Sequence, residues 1–326
     1  MLIRILCRKT VHLLLVLIGI SILTFSLMYL APGDPAEILL RAYPFDPGIE
    51  KLQLTRQTLG LDRHPVLQYM EWVTRVVQLD LGRSFRTGES VTGELRRRIP
   101  ATLELALLSF LLTLMLAIGF GIAGSLWHHH FIDHSLRTCT IIILSVPNFW
   151  QGLLFVYWFS VRWGLLPVHG RGELQNLVLP VLTLTLGMSA FYGRMVRAQM
   201  IEVWSHDYIK LAYAKGLSRW KILRRHVLKN ALLPIVSLWG MSLGQLLGGS
   251  AIVENIFAWP GLGQLTVDAI LNRDYPVILG CILCISLFFV WATAVANFLQ
   301  ILLDPRLRTG FFRDASQAED TALLEQ

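Results

Sequence analysis

Long apolar runs separated by polar segments dominate the pattern of this 326-residue chain. Six runs are long enough for a helix, rising about 1.5 Å per residue, to cross the roughly 30 Å of membrane hydrocarbon. They are 10–30, 101–127, 138–161, 177–198, 232–256 and 277–303. The pattern predicts an all-α protein with six transmembrane helices.

The first run follows Arg4, Arg8 and Lys9, a basic beginning that secretory signal peptides also have. Its apolar core from Val11 to Leu30 is longer than the usual signal-peptide core of about 7–15 residues. No convincing small-x-small cleavage site follows it. We therefore expect 10–30 to be an uncleaved first transmembrane helix.

Composition agrees with a membrane protein, since 54% of residues are hydrophobic, 16% are charged and the mean hydropathy is +0.54. The net charge of +7 could indicate nucleic acid binding, but the basic residues cluster in short loops beside apolar runs. Such clusters set the orientation of spanning helices. The pattern favours no nucleic acid partner and predicts an inner-membrane protein whose 1–9 and 304–326 termini and 128–137 and 199–231 loops are cytoplasmic.

The long segment 31–100 is then external. It contains two amphipathic stretches, 48–60 and 65–79, interrupted afterwards by glycines. We expect a small helical cap that is too short to hold a separate core. Residues 101–303 are expected to form a core of five transmembrane helices, with Pro100 at the start of the first of them.

A basic segment over 199–234 lies between the fourth and fifth apolar runs. Across Arg194–Lys229 the chain has nine Lys or Arg residues and two acidic ones. Apolar residues recur at helical spacing on both sides of Gly216, which tolerates left-handed backbone geometry, and Ser218 can cap a second helix. The first stripe is Ile201, Trp204, Tyr208, Leu211 and Ala212, and the second is Trp220, Leu223, Val227 and Leu228. A helix–Gly–helix elbow suits docking of another protein; the simpler alternative is a loop that fixes orientation and touches anionic lipid.

The segment DYIKLAYAKGLSRWKILRRHVLKNALLP resembles the cytoplasmic EAA loop of ABC-importer permeases, in the version of the dipeptide, oligopeptide and nickel importer family. Other motifs similar to that family are APGDP, LGLD, DLGRSF, PATLELA, VPNFW, LPVHG, ENIFAWPGLGQLTVDAILNRDYPVI and LDPRLR. The Glu-Ala-Ala opening of other permeases is replaced here by Lys210, Leu211 and Ala212.

The resemblance implies a type I ABC importer permease that pairs with a second homologous permease and two ABC ATPase subunits. An external solute-binding protein would deliver the substrate, and the chain itself would need no cofactor and catalyse no reaction. The absence of a Gly-x4-Gly-Lys-Ser/Thr phosphate loop agrees with ATP hydrolysis on partner subunits. The residues expected to couple to the ATPase are Ala212, Ala214, Lys215, Gly216, Leu217, Ser218, Arg225 and His226.

The sequence indicates the substrate less clearly than it indicates the transporter family. ENIFAWPG and NRDYPV look closest to nickel-type permeases, which favours nickel or a nickel chelate over a dipeptide or oligopeptide. Candidate polar groups on the translocation path are Asn148, Glu254 and Asn255. Glu104 is a weaker candidate, because its carboxylate could instead interact with the helix dipole.

Several other motifs of the chain also suggest chemistry. Gly240-Met-Ser-Leu-Gly244 matches the Gly-x-Ser-x-Gly of serine hydrolases, but that motif requires a strand–turn–helix and this one lies in an apolar run. The histidines over 128–134 and the pair Cys281 and Cys284 could bind metal, although we favour no metal site. A channel or secondary transporter is the remaining alternative without catalysis.

Overall fold

A computed structural model describes residues 15–26, 29–30, 34–40, 48–58 and 60–303. Within these ranges the regular elements are helices, and β pairing is limited to an isolated bridge between Arg83 and Ser90. The N-terminal helices are α1 Leu15–Ser26, which lies before the cap, and α2 Pro35–Leu40, α3 Gly48–Thr58 and α4 Pro65–Val77 within it. The others are α5 Val91–Leu126, α6 Phe131–Ser145, α7 Asn148–Phe155, α8 Leu174–Ser205, α9 Asp207–Ala214, α10 Arg219–Ile222, α11 Leu228–Gly249, α12 Ala251–Ile256, α13 Leu262–Leu271 and α14 Tyr275–Leu303. The all-α prediction is confirmed.

Three described helices are long and apolar enough to span a membrane: α5, α8 and the Tyr275–Ala296 part of α14. Two bent pairs raise the number to as many as five, namely Phe131–Ser145 with Asn148–Arg162 and Arg219–Val236 with Leu238–Ile256. The predicted first span, 10–30, lies partly outside the described residues and is represented by the shorter α1. The count of six therefore stays a prediction, as do the boundaries of the 1–9 and 304–326 termini.

The predicted third span is interrupted at Pro147. Helix α6 ends at Ser145, Val146 has an extended backbone (φ −101°, ψ 124°), and α7 begins at Asn148. A π-helical segment, Val156–Arg162, follows α7. Proline removes a helical hydrogen bond and its ring clashes with the preceding turn, so a break at this position is expected.

Helix α5 begins earlier than the sequence pattern predicted. It starts at Val91, so Pro100 lies inside the helix and not at its first turn. The reason is tertiary, because Val91 and Leu95 are buried against Leu262 and Leu265 of α13. Burial of these side chains extends the helix across the predicted boundary between the 31–100 cap and the core.

The chain divides into two compact units, which are described separately. The first comprises Met1–Leu108, Phe149–Thr183 and Leu246–Val290. In it, Trp72 of α4 packs against Phe25 of α1 and Leu279 of α14. The cap therefore shares its core with two apolar helices, as expected for a segment too small to fold alone.

The second unit comprises Ser109–Asn148, Leu184–Gln245 and Trp291–Gln326. Its core is formed by α5, α8, α9, α10, the π-helical segment Leu223–Val227 and α11. The buried members are Ala117, Tyr192, Val196, Met200, Val203, Ile209, Ala212, Ile222, Leu223, Val227, Ala231, Ile235 and Trp239. The basic segment is thus part of this core through its apolar side chains.

Candidate functional site

The predicted elbow is formed by α9, Gly216 and α10. Gly216 has φ +77°, in the left-handed region that residues other than glycine rarely adopt. Its N–H donates to the carbonyl of Tyr213 (2.9 Å), and the N–H of Leu217 donates to that of Ala212 (3.2 Å). This pair of bonds is the Schellman motif, which ends a helix by satisfying its last carbonyls.

Two local details differ from the sequence prediction. The expected single helix up to Gly216 is divided at His206, whose backbone is extended (φ −71°, ψ 145°). Ser218 occupies the position before α10, but its hydroxyl makes no capping hydrogen bond there. Apolar spacing detects neither feature, because both depend on the backbone path.

Apolar contacts anchor the elbow to the second unit. Ile209 and Ala212 of α9 and Ile222 of α10 are buried in the same cluster as Val196 and Met200 of α8. Full burial of an Ile side chain contributes about 1.5–3 kcal/mol. The elbow is therefore held as part of the helical core and is not a loosely attached loop.

Hydrogen bonds add to this anchoring. Arg219 donates from Nη2 to the carbonyl of Leu126, the last residue of α5 (2.7 Å). A cation suits the negative end of a helix dipole. Asn230 donates to the Tyr208 hydroxyl (3.2 Å). At the exposed start of α9, Lys210 donates to the Asp207 carboxylate (2.8 Å), and this bond lowers the pKa of Asp207.

Several apolar side chains of the elbow are exposed. Leu211 is 56% exposed and Trp220 60%, and Tyr208 and Tyr213 are also exposed. Leu211, Tyr208 and Trp220 belong to the predicted apolar stripes, so only part of each stripe is buried. We call these four residues, three of which are aromatic, the aromatic surface. Exposed basic residues accompany it: Lys210, Lys215, Arg219, Lys221, Arg224 and Arg225.

The predicted coupling residues are distributed over this region. Ala212 is buried, whereas Leu217 and His226 are half-buried. The others are exposed: Ala214, Lys215, Gly216, Ser218 and Arg225. Six of the eight lie between the start of α9 and the start of α10, whereas Arg225 and His226 lie in the π-helical segment Leu223–Val227 that follows α10. Their role in coupling stays a prediction.

An ion pair that the sequence did not indicate lies in the same unit. Arg197 of α8 donates to both carboxylate oxygens of Asp133 in α6, at 2.6 and 2.7 Å. Asp133 is 1% exposed and Arg197 18%. His128 also contacts both groups, with its Nδ1 3.1 Å from Arg197 Nη2 and 3.4 Å from Asp133 Oδ2.

The translocation candidate Glu254 has a fully buried side chain in the first unit, with 0% exposure. Its carboxylate accepts hydrogen bonds from the Thr102 hydroxyl (3.0 Å), the Ser250 hydroxyl (2.9 Å) and the Gln264 N–H (3.0 Å). A Cβ on Gly261 would lie 2.4 Å from its Oε2. These contacts account for a buried carboxylate without a pore, so pore contact at Glu254 stays a prediction that its burial does not favour.

The other two path candidates differ from Glu254. Asn148 is exposed, and a Cβ on Gly187 would lie 2.7 Å from its Oδ1, so this pair packs closely in the second unit. Asn255 is half-buried and donates to the Ala251 carbonyl of its own helix (2.8 Å). Glu104 forms an ion pair with Arg171, from whose Nη2 it accepts at 2.8 Å.

Two family motifs meet through residues that the sequence did not single out. The Asp274 carboxylate of NRDYPV accepts from the Ser84 hydroxyl and from the N–H of Phe85 (3.0 Å), both in DLGRSF. Asp274 and Ser84 are buried. Their positions in two family motifs could have marked both residues as candidates. The sequence gives no indication that the two residues pair.

Metal binding has no support from side-chain clustering in the described part of the chain, where no group of three or more His, Cys, Asp or Glu residues could hold an ion. Cys281 is buried in the apolar cluster of the first unit, in agreement with its interpretation as a small apolar side chain.

Comparison with known families gives two matches that together cover most of the chain. Residues 101–309 match the family described as binding-protein-dependent transport system inner membrane component. Residues 1–106 match the N-terminal family of the same membrane components.

Individual relatives agree. The oligopeptide transport system permease protein of Bacillus subtilis is 36% identical over 313 residues, which cover 92% of this chain and 98% of the relative. The glutathione transport system permease protein of Escherichia coli O6:H1 is 36% identical over 301 residues, with coverage of 92% and 97%.

Among solved structures, a chain of the MetNI methionine ABC transporter in an inward-facing conformation has a TM-score of 0.55. The match covers 65% of this chain and 96% of that one at 19% sequence identity. At this identity the similarity is one of fold, and it agrees with the type I importer permease architecture.

Proposed function

Because the chain belongs to the family of binding-protein-dependent transport system inner membrane components, and is thus the non-catalytic permease subunit of an ABC importer, we propose that it imports a peptide. This choice rests on two relatives that match over more than nine-tenths of the chain and are named for oligopeptide and glutathione transport. The alternative of a dipeptide or oligopeptide substrate is therefore better supported than nickel.

The structure offers a reason why the sequence favoured nickel. The motifs that suggested it, ENIFAWPG and NRDYPV, contain Glu254, Trp259 and Asp274, which are all buried. Trp259 donates from Nε1 to the Ala101 carbonyl (2.8 Å), so it joins the loop between α12 and α13 to α5. Residues that hold the fold carry little information about the substrate.

Uptake assays in a strain lacking this importer separate the two substrates. With the chain and its partner subunits restored, we expect uptake of a radiolabelled tripeptide to return and uptake of ⁶³Ni²⁺ to stay at the background of the deletion strain. The reverse result would favour nickel and overturn the proposed substrate.

The proposed partners are a second homologous permease, two ABC ATPase subunits and an external solute-binding protein, in a lipid bilayer. The aromatic surface supports an ATPase contact, because aromatic side chains and Arg are enriched at protein interfaces and both are exposed on this part of the chain. An enzyme of the ABC type would dock at the elbow and transmit its closure through the buried anchors Ile209 and Ile222. Both termini and the 199–231 loop would then be cytoplasmic.

The serine hydrolase alternative has no comparable support. Ser242 lies within helix α11, and its hydroxyl donates to the Leu238 carbonyl of the preceding turn (2.8 Å). A nucleophile would need a neighbouring base and a strand–turn–helix elbow. Ser242 instead contacts the Tyr192 hydroxyl, as a residue that joins helices.

A further inference from the structure

A cavity of about 690 Å³ lies in the cap, within the first unit. Helices α3 and α4, the 80–88 loop and the first turn of α14 form its walls, and we call it the cap pocket. Its volume falls in the range of about 300–1,000 Å³ that small-molecule sites occupy. A ligand of one to three amino acid residues would fit such a volume.

Aromatic side chains give the cap pocket an apolar part. Phe25 and Trp72 line it, with ring centroids 5.9 Å apart, and both are largely buried by contacts with each other and with Leu279. Tyr275 and Phe85 line it as well. A ligand that enters could therefore bury an apolar side chain against preformed aromatic walls.

Four arginines line the same pocket: Arg63, Arg75, Arg83 and Arg86. Arg63 is paired with Glu71, and Arg83 donates to the Gly88 carbonyl (3.2 Å). Within the described residues, no ion pair involves Arg75 or Arg86, and both side chains are exposed. Each guanidinium thus retains donors in the planar arrangement that binds a carboxylate with two hydrogen bonds.

The cap pocket also contains a negative group. Asp80 lines it, is exposed, and accepts from the Gly82 N–H through Oδ1 (3.0 Å). A site with both signs of charge suits a ligand that has both. A free peptide has a carboxylate at one end, an ammonium at the other and apolar side chains between them.

From these contacts we propose that the cap pocket binds the free carboxylate of a short peptide through Arg75 and Arg86, with Asp80 facing its ammonium group and the aromatic wall facing its side chain. This inference rests on the proposed peptide substrate. It adds a binding site that the 31–100 cap forms together with Phe25 of α1 and the first turn of α14.

The test measures binding to the complete importer complex in phosphatidylcholine nanodiscs, without ATP and without the external solute-binding protein. The probes are radiolabelled alanyl-phenylalanine and its C-terminal amide. We expect the acid to bind at least about tenfold more tightly than the amide, as charge-assisted hydrogen bonds to a carboxylate require.

Variants identify the site. Arg75→Gln and Arg86→Gln should each weaken binding of the acid about tenfold, and the double variant should bind acid and amide alike. Arg96→Gln is the matched control, since Arg96 is an exposed arginine near the start of α5 that does not line the pocket. Its binding should equal that of the unaltered complex.

Three outcomes would overturn the inference. They are equal binding of acid and amide by the unaltered complex, a preference for the acid that survives in the double variant, and loss of peptide binding when the nanodiscs contain phosphatidylglycerol. The last would identify a lipid headgroup as the occupant. If peptide uptake is intact alongside any of these results, the cap-pocket inference fails and the proposed function stands. If the pocket distinguishes acid from amide but the complex takes up no peptide, only the proposed substrate is contradicted.

Discussion

The hydroxyl of Ser84 donates a hydrogen bond to the carboxylate of Asp274, although 190 residues separate them in the chain. The same carboxylate accepts from two successive backbone N–H groups, those of Phe85 and Arg86. Asp274 therefore fixes the conformation of the loop that lines the cap pocket. A buried carboxylate with three donors is costly to alter, because each donor loses its partner when the acceptor is removed.

Asp274→Asn should lower the stability of the chain by about 1–3 kcal/mol, since an amide can no longer accept from all three donors. The measurement is the thermal unfolding midpoint of the purified protein in detergent. Asp62→Asn is the control, because Asp62 is exposed in the same cap. Equal midpoints for the two variants would contradict this role of Asp274.

Gly261→Ala should be severely destabilising. The added Cβ would lie 2.4 Å from the Glu254 carboxylate and 2.5 Å from the Thr102 hydroxyl, both of which are buried. Overpacking of a dense site typically costs about 1–3 kcal/mol. Gly119→Ala offers a matched control within a helix, because nothing lies within 4 Å of its added Cβ. Expression level and thermal midpoint should fall for Gly261→Ala and stay unchanged for Gly119→Ala.

Substitutions at Gly216 test the effect of backbone strain without steric overlap. An added Cβ at this position meets nothing within 4 Å, but φ is +77°. Gly216→Asn should retain most transport, since Asn tolerates left-handed geometry, whereas Gly216→Val should lose it, at a strain cost of about 1–2 kcal/mol or more. Transport by reconstituted complexes is the measurement. If Val were tolerated as well as Asn, the elbow would not depend on this backbone conformation.

Trp220→Ala should weaken association with the ATPase without destabilising the chain, because the Trp220 side chain is 60% exposed and lies on the aromatic surface. Trp163→Ala is the control, with 54% exposure at a position outside the elbow. Co-purification of the ATPase subunits should fall only for Trp220→Ala, while both variants keep the thermal midpoint of the unaltered protein. A loss common to both would indicate general instability.

Arg197→Met should destabilise the second unit more than Arg171→Met destabilises the first. Asp133, the partner of Arg197, is 1% exposed, whereas Glu104, the partner of Arg171, is 36% exposed. Leaving a buried charge unpaired costs about 3–5 kcal/mol, and loss of an exposed pair costs about 1 kcal/mol or less. Thermal midpoints of the two variants test the order, and the double variant Arg197→Met with Asp133→Leu should recover part of the loss.

Much of the fold was predictable because it depends on local pattern. Apolar runs indicated the helices, Pro147 indicated the break between α6 and α7, and Gly216 indicated a left-handed residue that ends α9. The early start of α5 at Val91 was missed, because it depends on contacts with α13, which lies more than 150 residues later. His206 was missed because no local signal distinguishes an extended residue there from a helical one.

The sequence by itself determined that the chain is an all-α membrane protein with a basic, glycine-centred elbow, since hydrophobic periodicity and the backbone freedom of glycine act within a few residues. Only the tertiary structure decided which polar residues were structural. It placed Glu254 against Thr102, Asp274 against Ser84 and Arg197 against Asp133. It also decided that Leu211 and Trp220 would stay exposed while Ile209 and Ile222 were buried. The physical reason is that burial and pairing depend on which helices pack together, and a repeat along one helix contains no information about its distant neighbour.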